Sequence, residues 1–226
     1  MSPLSNIINN GFTAETILSI FAAVFVVFCA TPFHEFSHAL VAYKLGDRTA
    51  KVHGRLTLNP LAHIDWFGAL MIFLLGFGYA KPVPVGLRSF PVRRRKLYMA
   101  IIAAAGPISN IIMALLTLLL CEISYNIYLT SDVGDMLYYL SYFFNSAAII
   151  NIALAVFNLI PIPPLDGSKI LNAFLPDKYF FKILAYENYI RIALFVLIYI
   201  GILDKPLNIA VAYVYNALST VVELII

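Results

Sequence analysis

His34-Glu35-Phe36-Ser37-His38 brings two imidazoles and a carboxylate into one short stretch. On an α-helix, residues i and i+4 share a face, so His34 and His38 can bind one metal ion. Glu35 then stands beside that ion, placed to take a proton from an attacking water. The bland alternative is a polar helix end with two solvated histidines. Two histidines do not complete a catalytic zinc site, which usually has three protein ligands and one open position. The best further candidate is Asp166, in Asn158-Leu-Ile-Pro161-Ile-Pro163-Pro164-Leu165-Asp166-Gly167. Asp166 reads equally well as the start of a short helix after a proline-rich loop.

The elements that must position these groups are apolar. The 226 residues are 62% hydrophobic and 12% charged, with a mean hydropathy of +0.87. Such a chain is a polytopic membrane protein. Histidine and glutamate are costly at membrane depth unless they have a function. The net charge of +3 is small, and no basic–aromatic patch points to nucleic acid. Cys29 and Cys121 lie inside apolar runs and read as core residues, not as a disulfide or a zinc site. Met1 to Glu15 carries no Lys or Arg, so the first apolar run is expected to stay in the mature protein. Nothing sets an oligomeric state.

The first span is expected from Ile17 to about Tyr43, with a kink at Pro32. His34 then lies roughly 25 Å along it, toward the far side of a core about 30 Å thick. Thr49–Leu58 alternates polar and apolar residues, which predicts a strand with one buried face. Trp66–Ala80 is apolar but short for a span. Lys81-Pro82-Val83-Pro84-Val85-Gly86 reads as extended edge structure. Four further apolar stretches follow: Leu97–Leu120, Met136–Leu159, Tyr189–Ile202 and Leu207–Ile226; the third is short, and Tyr186–Leu203 would complete it.

Basic residues decide the expected topology. Lys44, Arg48, Lys51 and Arg55 precede Trp66–Ala80, and Arg88, Arg93, Arg94, Arg95 and Lys96 follow it. If 66–80 spans, the two groups lie on opposite sides; if it is re-entrant, the favoured reading, both are cytoplasmic and the N-terminus is outside. The loop near Asp132 and Asp135 is then external, and the loop with Lys169, Lys178 and Lys182 internal. The expectation is an all-α polytopic membrane protein. It has about five transmembrane helices, a re-entrant segment and a small β-strand or hairpin near the active site. A re-entrant backbone needs shielding by protein or a water-filled cavity, which a catalytic cavity supplies.

Three motifs in order resemble the site-2 protease family of intramembrane zinc metalloproteases. They are His34-Glu35-Phe-Ser-His38, Gly106-Pro107-Ile-Ser-Asn110, and Asn158 through Gly167. Asn59-Pro-Leu-Ala-His63-Ile-Asp65 and Lys81-Pro-Val-Pro-Val85 look like its compact prokaryotic branch. The resemblance covers roughly residues 17 to 171. It implies one Zn²⁺ per chain on His34, His38 and Asp166, with Glu35 as general base. Asn158 matches a family asparagine proposed to stabilise the oxyanion. Asn110 faces the same site or makes a helix–helix hydrogen bond. Ala103-Ala104-Ala105-Gly106 allows close approach to the metal helix. His63 reads as structural, and Asp65 as a cap for the 66–80 helix.

The implied activity is hydrolysis of peptide bonds in or near transmembrane segments of other membrane proteins. One membrane protease domain would span 1–226, its core about 17–171 and its C-terminal helices about 186–226. It would sit in a prokaryotic cell membrane, its site toward the cytoplasm. The alternative is a membrane ion or metal transporter using His34, His38 and Asp166 as a polar pathway. That reading expects polar residues along a path across the bilayer, and an internal repeat. Here they gather at one depth, and no repeat is visible.

Overall fold

The computed structural model describes residues 11–63, 65, 81–131, 134–176, 178, 183 and 185–226. The first apolar run starts at α1 (Ala14–Phe25), where the Thr13 hydroxyl accepts the Thr16 N–H at 3.2 Å. A π-helical turn, Val26–Ala30, leads into α2 (Thr31–Lys44). There the Thr31 N–H reaches back to the Val26 carbonyl. Pro32 has no N–H, and the widened turn beside it absorbs the irregularity expected there.

After α2 come two single-turn helices, α3 (Thr49–Val52) and α4 (Pro60–His63). Lys81 to Gly86 carry no helix, and 3₁₀ turns at Leu87–Ser89 and Val92–Arg94 lead into α5 (Arg95–Thr130). α6 (Met136–Asn158) returns, and the loop after it ends at α7 (Asp166–Asn172). α8 (Glu187–Ile200) and α9 (Asp204–Glu223) complete the described chain.

The expected strand over Thr49–Leu58 does not form, and no strand exists among the described residues. Asp47 starts a helical turn instead. Its carboxylate accepts the Thr49 N–H at 3.0 Å and the Thr49 hydroxyl at 2.5 Å. Gly54 at φ 68° ends the segment. The alternation marked no buried face: Ala50 is fully buried, but Val52 is 80% exposed.

Three described helical runs are long and apolar enough to cross a membrane: Ala14–Lys44, Val92–Thr130 and Met136–Asn158. The last two expected spans, Tyr186–Leu203 and Leu207–Ile226, are instead a pair bent by 84°, which counts as a fourth span at most. Gly201, left-handed at φ 79°, makes the break. Its N–H and that of Ile202 close back on Ile198 and Leu197, ending α8 before it is a full span long. The count of five is therefore not reached among the described residues. The expected re-entrant segment Trp66–Ala80, and Asp132, lie outside them.

Small residues hold the bundle. Ala22, Val26 and Ala30 from the first run meet Ala147 of α6, with Phe25, Phe143 and Leu154 packed around them. Leu118, Ala148 and Val222 join α5, α6 and α9. Alanine at these crossings lets helix backbones approach, which is how helices pack where lipid removes the hydrophobic drive. α5 is the central strut, packed on α2, α6 and α7. That arrangement brings the metal-type helix α2 and the Asp166 helix α7 to one place.

Candidate metal centre

α2 presents His34 and His38 one turn apart, and both are buried. Their rings meet edge to face with centroids 4.7 Å apart. The two Nε2 atoms are 3.1 Å apart. Asp166 reaches them from the start of α7, its Oδ2 lying 3.3 Å from His34 Nε2 and 3.0 Å from His38 Nε2. Asp166 thus both begins a helix and turns its carboxylate into the cluster.

These distances test the fit to zinc. A tetrahedral ion with ligands at 2.0–2.2 Å has donor atoms roughly 3.4 Å apart. Three donors spaced 3.0–3.3 Å apart match the edges of such a polyhedron. Two neutral imidazoles and a carboxylate are also a zinc donor set. His34, His38 and Asp166 are the group that could hold a metal among the described residues.

The surroundings orient the donors. His38 Nδ1 is 2.6 Å from the Ile102 carbonyl oxygen on α5. A carbonyl only accepts, so Nδ1 carries the hydrogen and Nε2 keeps its lone pair for the cluster. Gly106 of α5 sits over the imidazole tips, where a Cβ would overlap His38 Nε2 and His34 Nε2. Gly167 permits a similar approach, because a Cβ there would strike the Leu159 carbonyl. Lys169 donates to the other Asp166 oxygen, Oδ1, at 2.9 Å.

A cavity of about 520 Å³ opens onto the cluster. Glu35 lines it beside His34 and His38, as do Asn110 and Asn158. Asn110 is buried on α5, and its Oδ1 has no hydrogen-bond partner among the described residues. Asn158 donates one amide hydrogen to Leu154 at 3.0 Å, which leaves the second for the cavity. Pro82, Val83 and Val85 form an apolar wall, and Arg191 and Phe195 of α8 reach the same space.

The remaining histidines stand apart from the cluster. His63 is fully buried and donates from Nε2 to the Thr57 carbonyl at 2.8 Å, holding its loop. His53 is exposed and bonds the Thr49 carbonyl of its own turn. Asp65 lines the cavity; the 66–80 helix it was expected to cap is outside the described residues.

Sequence reasoning missed Lys169 as a site residue, counting it only as a loop charge. Its spacing of three from Asp166 at a helix start was the available signal. The Ile102 carbonyl had none, because a backbone acceptor has no residue signature.

Residues 20–200 match the family described as Peptidase family M50. The chain belongs to peptidase family M50. Family and donor set together make it a zinc metalloprotease, as the resemblance to the site-2 proteases implied. Relatives named "Putative zinc metalloprotease" include YwhC of Bacillus subtilis, 40% identical over 156 residues, which are 69% of this chain and 70% of YwhC. Rip2 of Mycolicibacterium smegmatis is 30% identical over 63% of this chain, which spans about half (52%) of Rip2. MJ0611 of Methanocaldococcus jannaschii is 38% identical over 31% of this chain and 32% of its own length. No solved structure matches.

Proposed function

We propose that this M50 member cleaves peptide bonds in or near transmembrane segments of other membrane proteins, with its site at membrane depth. The observation that carries the reading is the convergence of His34 Nε2, His38 Nε2 and Asp166 Oδ2, with Glu35 on the wall of the same cavity. His34, His38 and Asp166 are assigned as the zinc ligands, one ion per chain. Zinc, when bound there, supplies a Lewis acid that polarises the scissile carbonyl and makes water acidic enough to attack. Glu35 takes the proton of the attacking water and later hands it to the leaving amine. The spare amide hydrogen of Asn158 is aimed at the developing oxyanion, and Asn110 borders the substrate on the α5 side.

An intact helix hides its carbonyls in its own hydrogen bonds, so the substrate unwinds before attack. The Lys81–Gly86 segment is assigned as the edge that receives it. Residues before proline favour extended backbone, which applies to Lys81 and Val83. Val83 and Val85 keep their N–H groups for a β-type pairing with the unwound strand. The basic residues beside α2 and before α5 support a cytoplasmic location for this face, with the N-terminus outside, and the membrane is read as that of a prokaryotic cell from the family resemblance. Residues 1–226 are read as one membrane protease unit.

Metal content of the detergent-solubilised chain tests the assignment. About one zinc per chain is expected in the native form and in Glu35→Gln, the latter without turnover. Asp166→Ala is expected to lose both. No zinc in the native chain, or full retention in Asp166→Ala, overturns the three-ligand site.

A further inference from the structure

Resting on the zinc reading of the cluster, we propose that Lys169 is a positioning residue that restricts Asp166 to one-oxygen coordination and so keeps the fourth metal position open. The two oxygens of Asp166 are divided between two tasks. Oδ2 faces His34 Nε2 and His38 Nε2 at 3.3 and 3.0 Å, and Oδ1 accepts from Lys169 Nζ at 2.9 Å.

A free carboxylate can present one oxygen or both to a cation. The second mode would fill the place that water and the scissile carbonyl must use, since catalysis needs an open position beside three protein ligands. Among the described side chains, Lys169 is the donor to Oδ1. The short helix α7 sets the pair three residues apart, so one turn carries both the ligand and its restraint. Gly167 between them lets this turn seat tightly against the Leu159 carbonyl, and Ser168 bonds the Leu165 carbonyl at 2.7 Å. The turn is therefore anchored on its own backbone, independently of Lys169.

Lys169 differs from an ordinary surface partner in one respect. Asp166 is buried, while the lysine side chain is 43% exposed and lines the cavity. The lysine reaches from the cavity edge into the cluster, and its ammonium touches the ligand. Partners that orient a metal ligand typically change metal affinity or activity by about 10–100-fold when removed.

The test loads the metal-stripped 226-residue chain in detergent with Co²⁺. It compares native protein with Lys169→Gln and Lys169→Arg, by metal titration and by the visible ligand-field bands. Four-coordinate Co²⁺ absorbs strongly, and a fifth ligand oxygen weakens the bands. Native protein and Lys169→Arg are expected to bind one Co²⁺ with strong bands. Lys169→Gln is expected to bind Co²⁺ with bands weakened by roughly half, and with affinity altered by about tenfold or more. Lys169→Gln with native bands and native affinity overturns the proposal, whether or not its activity falls. Weak bands in Lys169→Arg as well also overturn it, since the restored charge should restore the restraint. If the native chain binds no Co²⁺, the metal reading itself fails, a result distinct from either of these.

Discussion

Gly106 stands directly against the ring tip of His38, so that a single added methyl group would overlap Nε2. This contact makes a helix–helix crossing part of the metal centre. α5 can carry the Ile102 carbonyl to His38 Nδ1 only if its next turn has no side chain facing the cluster. Gly106→Ala is therefore expected to push both imidazoles apart and lower zinc affinity by about tenfold or more. The overpacking should also cost about 1–3 kcal/mol of stability. Zinc titration and thermal unfolding in detergent check this, and native zinc affinity in Gly106→Ala would refute it.

The Val83 N–H is the donor between two prolines in the wall of the cavity. Val83→Pro removes it while keeping the extended bias of the segment. Cleavage of a transmembrane substrate is expected to fall about five- to tenfold, one hydrogen bond's worth, with zinc content unchanged. Undiminished cleavage would remove this segment from substrate binding.

Asp47 ties the end of α2 to the approach to that wall. It is fully buried and accepts from Thr49, from the Gly86 N–H at 2.6 Å and from the Ser89 hydroxyl at 3.1 Å. Burial pushes its carboxyl up, but the hydrogen bonds from Thr49, Gly86 and Ser89 outweigh this and hold it below its ordinary value. A lowered folded-state value means stability that is present above the unfolded value, about 3.9. That stability is lost as pH falls through the folded value.

Asp47→Asn should therefore destabilise the chain by about 2 kcal/mol at pH 7, because one amide hydrogen now faces donors. The gap from native should close as pH drops below about 4. Unfolding curves of both forms across that range decide it; a gap constant down to the lowest pH rules out the carboxylate as its source.

Much of the site was legible in the residues, and for a local reason. His34 and His38 are four apart on a helix, so their shared face follows from 3.6 residues per turn without any knowledge of the rest. Apolar runs of span length declare the membrane, because lipid leaves the backbone few alternatives to helix. Small residues before Gly106 announced a close crossing, and α5 does meet α2 there. Asp166 was a candidate with two readings, and its helix start was visible from the loop before it.

Where those groups end up was decided by packing. The period-2 pattern at Thr49–Leu58 is local too, yet the Asp47 carboxylate and Gly54 turned it into a helical turn that no alternation could announce. The bend at Gly201 replaced two expected spans by one broken pair. Asp166 reaches His34 and His38 only because α5 packs on both α2 and α7. The Ile102 carbonyl and the Lys169 ammonium act through distances of 2.6 and 2.9 Å. Periodicity is a property of neighbours along the chain and can be read there. Convergence depends on how three helices cross, and that exists only once they have packed.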